Sequence, residues 1–81
     1  MSNDWFVYIL RCQDGSLYTG ITTDTDRRVK EHMAGEGSSY TASRGVKKLE
    51  YKEAVNSRSV ASQREAEIKQ LSRDGKENLI G

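Results

Sequence analysis

The feature that most constrains this chain is the stretch WFVYILRCQDGSLYTGIT, from Trp5 to Thr22, in which two runs rich in aromatic and β-branched residues flank Asp14-Gly15. Glycine takes up positive φ at no steric cost, as tight hairpin turns require, so the segment predicts two antiparallel strands joined at Asp14-Gly15. Along the first strand Val7, Ile9 and Arg11 share one side, and Phe6, Tyr8 and Leu10 share the other. Both sides are largely apolar. A strand of that kind belongs inside a sheet covered on both faces, which calls for helices.

The rest of the chain supplies them. In TTDTDRRVKEHMAG, Thr23 or Asp24 can cap a helix start and Gly35 can end the helix in the left-handed conformation. Val29 and Met33, four apart, are expected to bury together, with Arg28 and His32 forming an adjacent stripe. Residues 35–45, GEGSSYTASRG, lack periodicity and read as a mobile surface loop. VKKLEYKEAV then predicts a third, less regular strand carrying Val46, Leu49, Tyr51 and Val55. Asn56 to Ser59 offers N-caps for VASQREAEIKQLSR, whose Val60, Ala61, Ile68 and Leu71 define an apolar side. Asp74-Gly75 is expected to stop this helix, and Leu79 and Ile80 to dock the tail as a last helical turn. The expected fold is α+β, one domain over residues 1–81, in the order strand, strand, helix, strand, helix and short C-terminal helix.

Bulk properties bound the function. No long apolar run and no signal-like segment near Met1 occurs, which points to a soluble, cytoplasmic protein without membrane association. The single cysteine, Cys12, excludes an internal disulfide and a zinc site built from paired cysteines. Thirteen basic against twelve acidic residues leave a net charge of +1, so any nucleic-acid surface must be local. Five basic residues between Arg44 and Arg58 face only two acidic ones, a bias that equally suits a solvated strand edge.

A few residues can carry chemistry. Arg28 and His32, on one helical face, are either solvated neighbours or a pair able to hold an oxyanion through charge-assisted hydrogen bonds. Glu65 lies toward the apolar side of its helix and needs a partner there, either a basic side chain or a hard divalent cation. Tyr8 and Tyr18 read as core aromatics or as a pair aimed at a substrate. Gly20, an interior strand glycine, marks a bulge or a close approach. Phosphate loops, Ser/His/Asp sets and Cys/His clusters are missing.

Taken together these residues resemble the GIY-YIG nuclease superfamily, most closely its small stand-alone bacterial members. FVY (Phe6 to Tyr8) stands where the family has its first tripeptide and YTG (Tyr18 to Gly20) where it has its second. DRRVKEH is similar to the first helix, SYTASRG to the loop of the stand-alone group, and REAEIKQLSRDGKENLI to the carboxylate-bearing helix and tail. The resemblance implies a three-stranded antiparallel sheet flanked by helices, with the catalytic groups on one face. It implies an endonuclease that hydrolyses phosphodiester bonds in DNA rather than RNA, structure-directed or weakly specific, of the kind used in DNA repair. The catalytic residues would be Tyr8, Tyr18, Arg28, His32 and Glu65, with Glu65 holding Mg²⁺ or Mn²⁺ and with Gly20, Tyr40, Arg44 and Asn78 contacting substrate. Ile21 stands where some members have a lysine, and no DNA-binding module is appended, so a partner protein or a homodimer is expected to add affinity. Two other readings share the fold: a module that binds nucleic acid without cutting it, and a protein-interaction adaptor.

Overall fold

The computed structural model describes residues 4–81; the first residues of the expected domain, Met1 to Asn3, lie outside the described residues. The elements are β1 (Trp5–Cys12), β2 (Leu17–Thr22), α1 (Thr25–Met33), α2 (Ser39–Arg44), β3 (Val46–Val55), α3 (Arg58–Lys69) and α4 (Arg73–Ile80). The strands form one antiparallel sheet in the order β2-β1-β3. This puts β1 in the middle, as its apolar faces require. Val7, Ile9, Leu10 and Cys12 are fully buried, and Tyr8 is 1% exposed.

The hairpin turns at Asp14-Gly15. Gly15 has φ of 86°, the Asp14 carboxylate accepts from the Ser16 backbone N–H at 3.0 Å, and Cys12 N–H donates to the Ser16 carbonyl at 2.8 Å. This fixes a register in which Val7 faces Ile21, Tyr8 faces Gly20 and Leu10 faces Tyr18. Cross-strand partners share a face, so one side of the sheet carries Val7, Ile9 and Ile21 and the other carries Tyr8, Gly20, Leu10 and Tyr18.

On the first side Val7 and Ile9 pack with Ala61 and Ile68 of α3, and Leu79 and Ile80 of α4 close over this cluster. Burial of a side chain such as Ile9 or Ile68 contributes about 1.5–3 kcal/mol. Ile21, partly buried, packs against the same cluster. Arg11 fastens α4 to the sheet: its guanidinium donates to Glu50 of β3, to Glu77 of α4 and to the Gly15 carbonyl, at 2.7–3.1 Å.

Three local expectations are corrected. Residues 35–45 are not simply a loop: they contain α2, started by Ser38, whose hydroxyl accepts from Thr41 N–H, and ended at Gly45 with φ of 76°. Met33 is exposed, and the stripe of α1 that turns inward is instead Thr25 and His32, seven residues apart. Asp74-Gly75 does not stop α3, which ends before Gln70; the Ser72 hydroxyl accepts from Gly75 N–H, so both residues lie in the first turn of α4. The expected docking of Leu79 and Ile80 is present.

Candidate active site

The second face of the sheet carries a continuous polar chain. Tyr8 projects from β1 over Gly20 of β2, the residue opposite it, and a Cβ on Gly20 would overlap the phenol, with Tyr8 Cζ at 2.6 Å. The glycine is the space the ring occupies. The Tyr8 hydroxyl lies 2.8 Å from Nε2 of His32 on α1, whose Nδ1 lies 2.7 Å from the Thr41 hydroxyl on α2. The Thr41 oxygen is in turn 2.9 Å from Ser38 Oγ and 3.3 Å from the Ser38 carbonyl.

One assignment of hydrogens satisfies every group. Thr41 donates to the Ser38 carbonyl and accepts from Ser38 Oγ–H and from His32 Nδ1–H, which leaves Nε2 to accept from the Tyr8 hydroxyl. Burial lowers the His32 pKa from its ordinary 6.5, aided by the positive charge of Arg28 and opposed by Glu31. Neutral His32 is therefore the resting state at neutral pH, ready to accept a proton.

Tyr8 is displaced the other way. Burial pushes its pKa up to about 12; a hydrogen bond with Arg28 and that residue's charge pull it down, and neighbouring Tyr18 and the Glu65 carboxylate push it up. The cation beside it does not offset the burial, so Tyr8 stays a neutral phenol that donates to His32. Arg28 is held in place by its Nη1–H donating to Glu31 at 2.9 Å and its Nη2–H donating to the Gly37 carbonyl at 2.9 Å. Two of its five donors are used in this way and it also hydrogen-bonds Tyr8, which still leaves capacity for an anion.

Tyr18, diagonal to Tyr8, has its ring 6.5 Å from Tyr8 and 5.1 Å from His32. Outward from it come the Tyr40 ring at 5.8 Å and then the Arg44 guanidinium, 3.8 Å above the centre of Tyr40. The structure thus brings together Tyr8, Tyr18, Gly20, Arg28, His32, Tyr40 and Arg44.

Glu65 reaches this group from elsewhere. It sits on α3, which packs on the Val7 and Ile9 face, so the groups do not all spring from one face of the sheet as the resemblance implied. Its charge is nevertheless felt at Tyr8. Lys69, one turn on, pairs with it at 3.4 Å. Among the described residues no three His, Cys, Asp or Glu side chains cluster as metal ligands. A divalent cation would therefore meet the Glu65 carboxylate with water and substrate oxygens filling its other positions, an arrangement that Mg²⁺ tolerates. Asn78 is exposed on α4, and no hydrogen bond found among the described residues ties it to the tyrosines.

Sequence reasoning did not single out Thr41, Ser38 and Gly37. Thr41 is fully buried behind His32, and Gly37 lies so close to the imidazole that a Cβ there would overlap the ring. The available signal was Ser38 three residues before Thr41, a capping spacing inside an otherwise loop-like stretch.

Known proteins resemble this chain in sequence and in fold. Residues 4–78 match the model of the GIY-YIG catalytic domain. A UPF0213 protein of Natronomonas pharaonis is 52% identical over 80 residues, covering 99% of this chain and 94% of its own. The solution NMR structure of a UPF0213 protein from Bacillus halodurans is similar with a TM-score of 0.61 at 49% identity, over 95% of this chain and 82% of that one. A protein from E. faecalis, also solved by solution NMR, is similar with a TM-score of 0.63 at 40% identity, over 99% and 88% respectively.

Proposed function

The chain belongs to the GIY-YIG catalytic domain family, and on that premise we propose that it is a metal-dependent endonuclease hydrolysing phosphodiester bonds in DNA. The observation that carries this reading is the buried hydrogen bond from the Tyr8 hydroxyl to His32 Nε2, with the Arg28 guanidinium beside it.

Hydrolysis needs a water deprotonated as it attacks phosphorus in line, and charge on the nonbridging oxygens must be stabilised. A phenol with a pKa near 12 is a weak donor and its anion is hard to form, so Tyr8 is not a free tyrosinate base. Tyr8 instead passes its own proton to neutral His32 Nε2 while its oxygen takes the proton of the water, and the phenolate is never isolated. Thr41 holds the imidazole in the accepting tautomer. Arg28 presents its remaining donors to the phosphate, and Tyr18, its ring 6.5 Å from that of Tyr8, helps to orient it. A divalent cation held by Glu65 would supply Lewis-acid charge at the phosphate and at the leaving oxygen.

Incubation with Mg²⁺ or Mn²⁺ and a panel of branched, flapped, single-stranded and duplex DNA tests this reading. Cleavage is expected to fall about 10²–10³-fold in Glu65→Ala and in Arg28→Ala. Cleavage that survives Glu65→Ala would sink the assignment, and binding without any cleavage would favour a module that grips nucleic acid only.

A further inference from the structure

We propose that Tyr40 and Arg44 form a stacking subsite for an unpaired nucleobase beside the scissile phosphate. The subsite rests on the nuclease reading and specifies the form of nucleic acid that the site accepts.

Rings are laid out in a ladder that leads from the interior to the surface. The His32 and Tyr18 rings are 5.1 Å apart, Tyr18 and Tyr40 are 5.8 Å apart with planes inclined by 34°, and the Arg44 guanidinium carbon is 3.8 Å from the Tyr40 centroid. Arg44 follows Tyr40 by one helical turn of α2, so the backbone itself sets the arginine over the ring. From the other side Asp14, in the hairpin turn, forms an ion pair with Arg44, its Oδ2 lying 3.2 Å from Nε. A long side chain that usually wanders on a surface is thus fixed by a ring below and a carboxylate at its edge. Its side chain remains 38% exposed.

The carboxylate decides which part of a nucleotide fits. A phosphate arriving at Arg44 would meet Asp14 as well, so its net attraction is weak and screened. A nucleobase carries no charge and offers a flat face, for which tyrosine rings and guanidinium planes are the usual platforms. Lys52 over Phe6 at 5.3 Å and Arg58 over Trp5 at 5.8 Å are wider contacts and are not joined to Tyr18 by a ring contact. In a duplex each base is already covered on both faces by its neighbours. Only an unpaired or frayed base can lie on this platform, so the subsite favours single-stranded segments next to the cut.

Fluorescence anisotropy in EDTA, at low salt, tests this with a labelled single-stranded deoxyoligonucleotide, its blunt duplex, and the same strand with abasic positions. The wild-type protein is expected to bind the intact strand more tightly than the duplex. Tyr40→Leu keeps the apolar bulk without the flat ring; it should weaken the intact strand roughly 10-fold or more while leaving the duplex unchanged. The abasic strand should bind the wild type as weakly as the intact strand binds Tyr40→Leu, with no further loss when the two changes are combined, and Tyr40→Trp should restore affinity. Should Tyr40→Leu fail to fold by circular dichroism, Arg44→Gln at the exposed end carries the same comparison.

Equal weakening of all probes, or no weakening of any, overturns the subsite. If metal-dependent cleavage persists in that case, the nuclease reading stands without it. A wild-type protein that binds no nucleic acid at low salt overturns both.

Discussion

The Tyr8 hydroxyl lies 2.8 Å from His32 Nε2, with both side chains withdrawn from solvent. A buried phenol and a buried imidazole in contact share one proton between two groups whose own pKa values are driven apart, Tyr8 upward and His32 downward. On the proposed mechanism the pair transfers a proton without either group ionising alone. If His32 is the acceptor, kcat/KM rises with pH through a limb below the ordinary histidine value of 6.5, because burial lowers its pKa. A limb that rises only above pH 9 would assign the base to a free tyrosinate instead. Tyr8→Phe and His32→Ala should each lower the rate about 10²–10⁴-fold.

The same depression of His32 has a stability consequence. Between its lowered folded pKa and the ordinary 6.5 the unfolded chain binds more protons than the folded one, so stability is full above 6.5 and falls as pH drops through that window. His32→Gln should flatten this part of a Tm-against-pH curve.

Thr41→Val removes the acceptor of His32 Nδ1–H while keeping the side-chain shape. The orphaned donor costs about 1–3 kcal/mol in a denaturant titration. Activity should fall further than the folded fraction explains, since the imidazole can then flip or take the other tautomer, and Thr41→Ser should recover most of both. Equal activity in Thr41→Val and wild type would remove Thr41 from the proton path.

Gly20 and Gly37 are required for space rather than for backbone freedom. A methyl group on Gly20 would strike the Tyr8 phenol, and one on Gly37 the His32 ring. Neither ring can retreat, because each is buried and hydrogen-bonded to the other. Overpacking of this kind costs about 1–3 kcal/mol. Gly20→Ala and Gly37→Ala should therefore lose activity with a Tyr8–His32 separation that crystallography would find lengthened, whereas Gly35→Asn, at φ of 81° and with neither ring within 4 Å of an added Cβ, should keep it.

Much of this site was legible in the sequence where spacing dictates geometry. The Asp14-Gly15 turn fixes the register, the register sets Tyr8 opposite Gly20, and the four-residue step from Arg28 to His32 keeps both on one side of α1. What the sequence hid depends on contacts between distant segments. Met33 looked like the natural partner of Val29, but the neighbour of α1 is a polar chain ending in Thr41, so His32 is buried in its place. α2 went unseen because six residues are too few to display a helical period, and its one signal, Ser38 as cap, sits in a Gly/Ser background typical of loops. Glu65 was read as seeking a partner, and the pairing with Lys69 on its own helix was available from the four-residue spacing.

Arg11 supplies the last prediction, because one side chain joins the hairpin turn, β3 and α4. Its guanidinium donates to Glu50 and to Glu77, and these bonds hold both carboxyls below their ordinary 4.5. For a carboxylate depressed in this way, the stabilising contribution is present above 4.5 and is lost as pH falls through the lower folded value. Arg11→Met leaves Glu50, mostly buried, without its main counter-charge and releases the grip on α4, so Tm at pH 7 should fall by several degrees. Below the lowered folded values of the two carboxyls the proteins should converge, since the protonated carboxyls no longer reward the arginine. A Tm difference that stays constant from pH 7 to pH 3 would mean that Arg11 acts through packing of its stem, not through its charge.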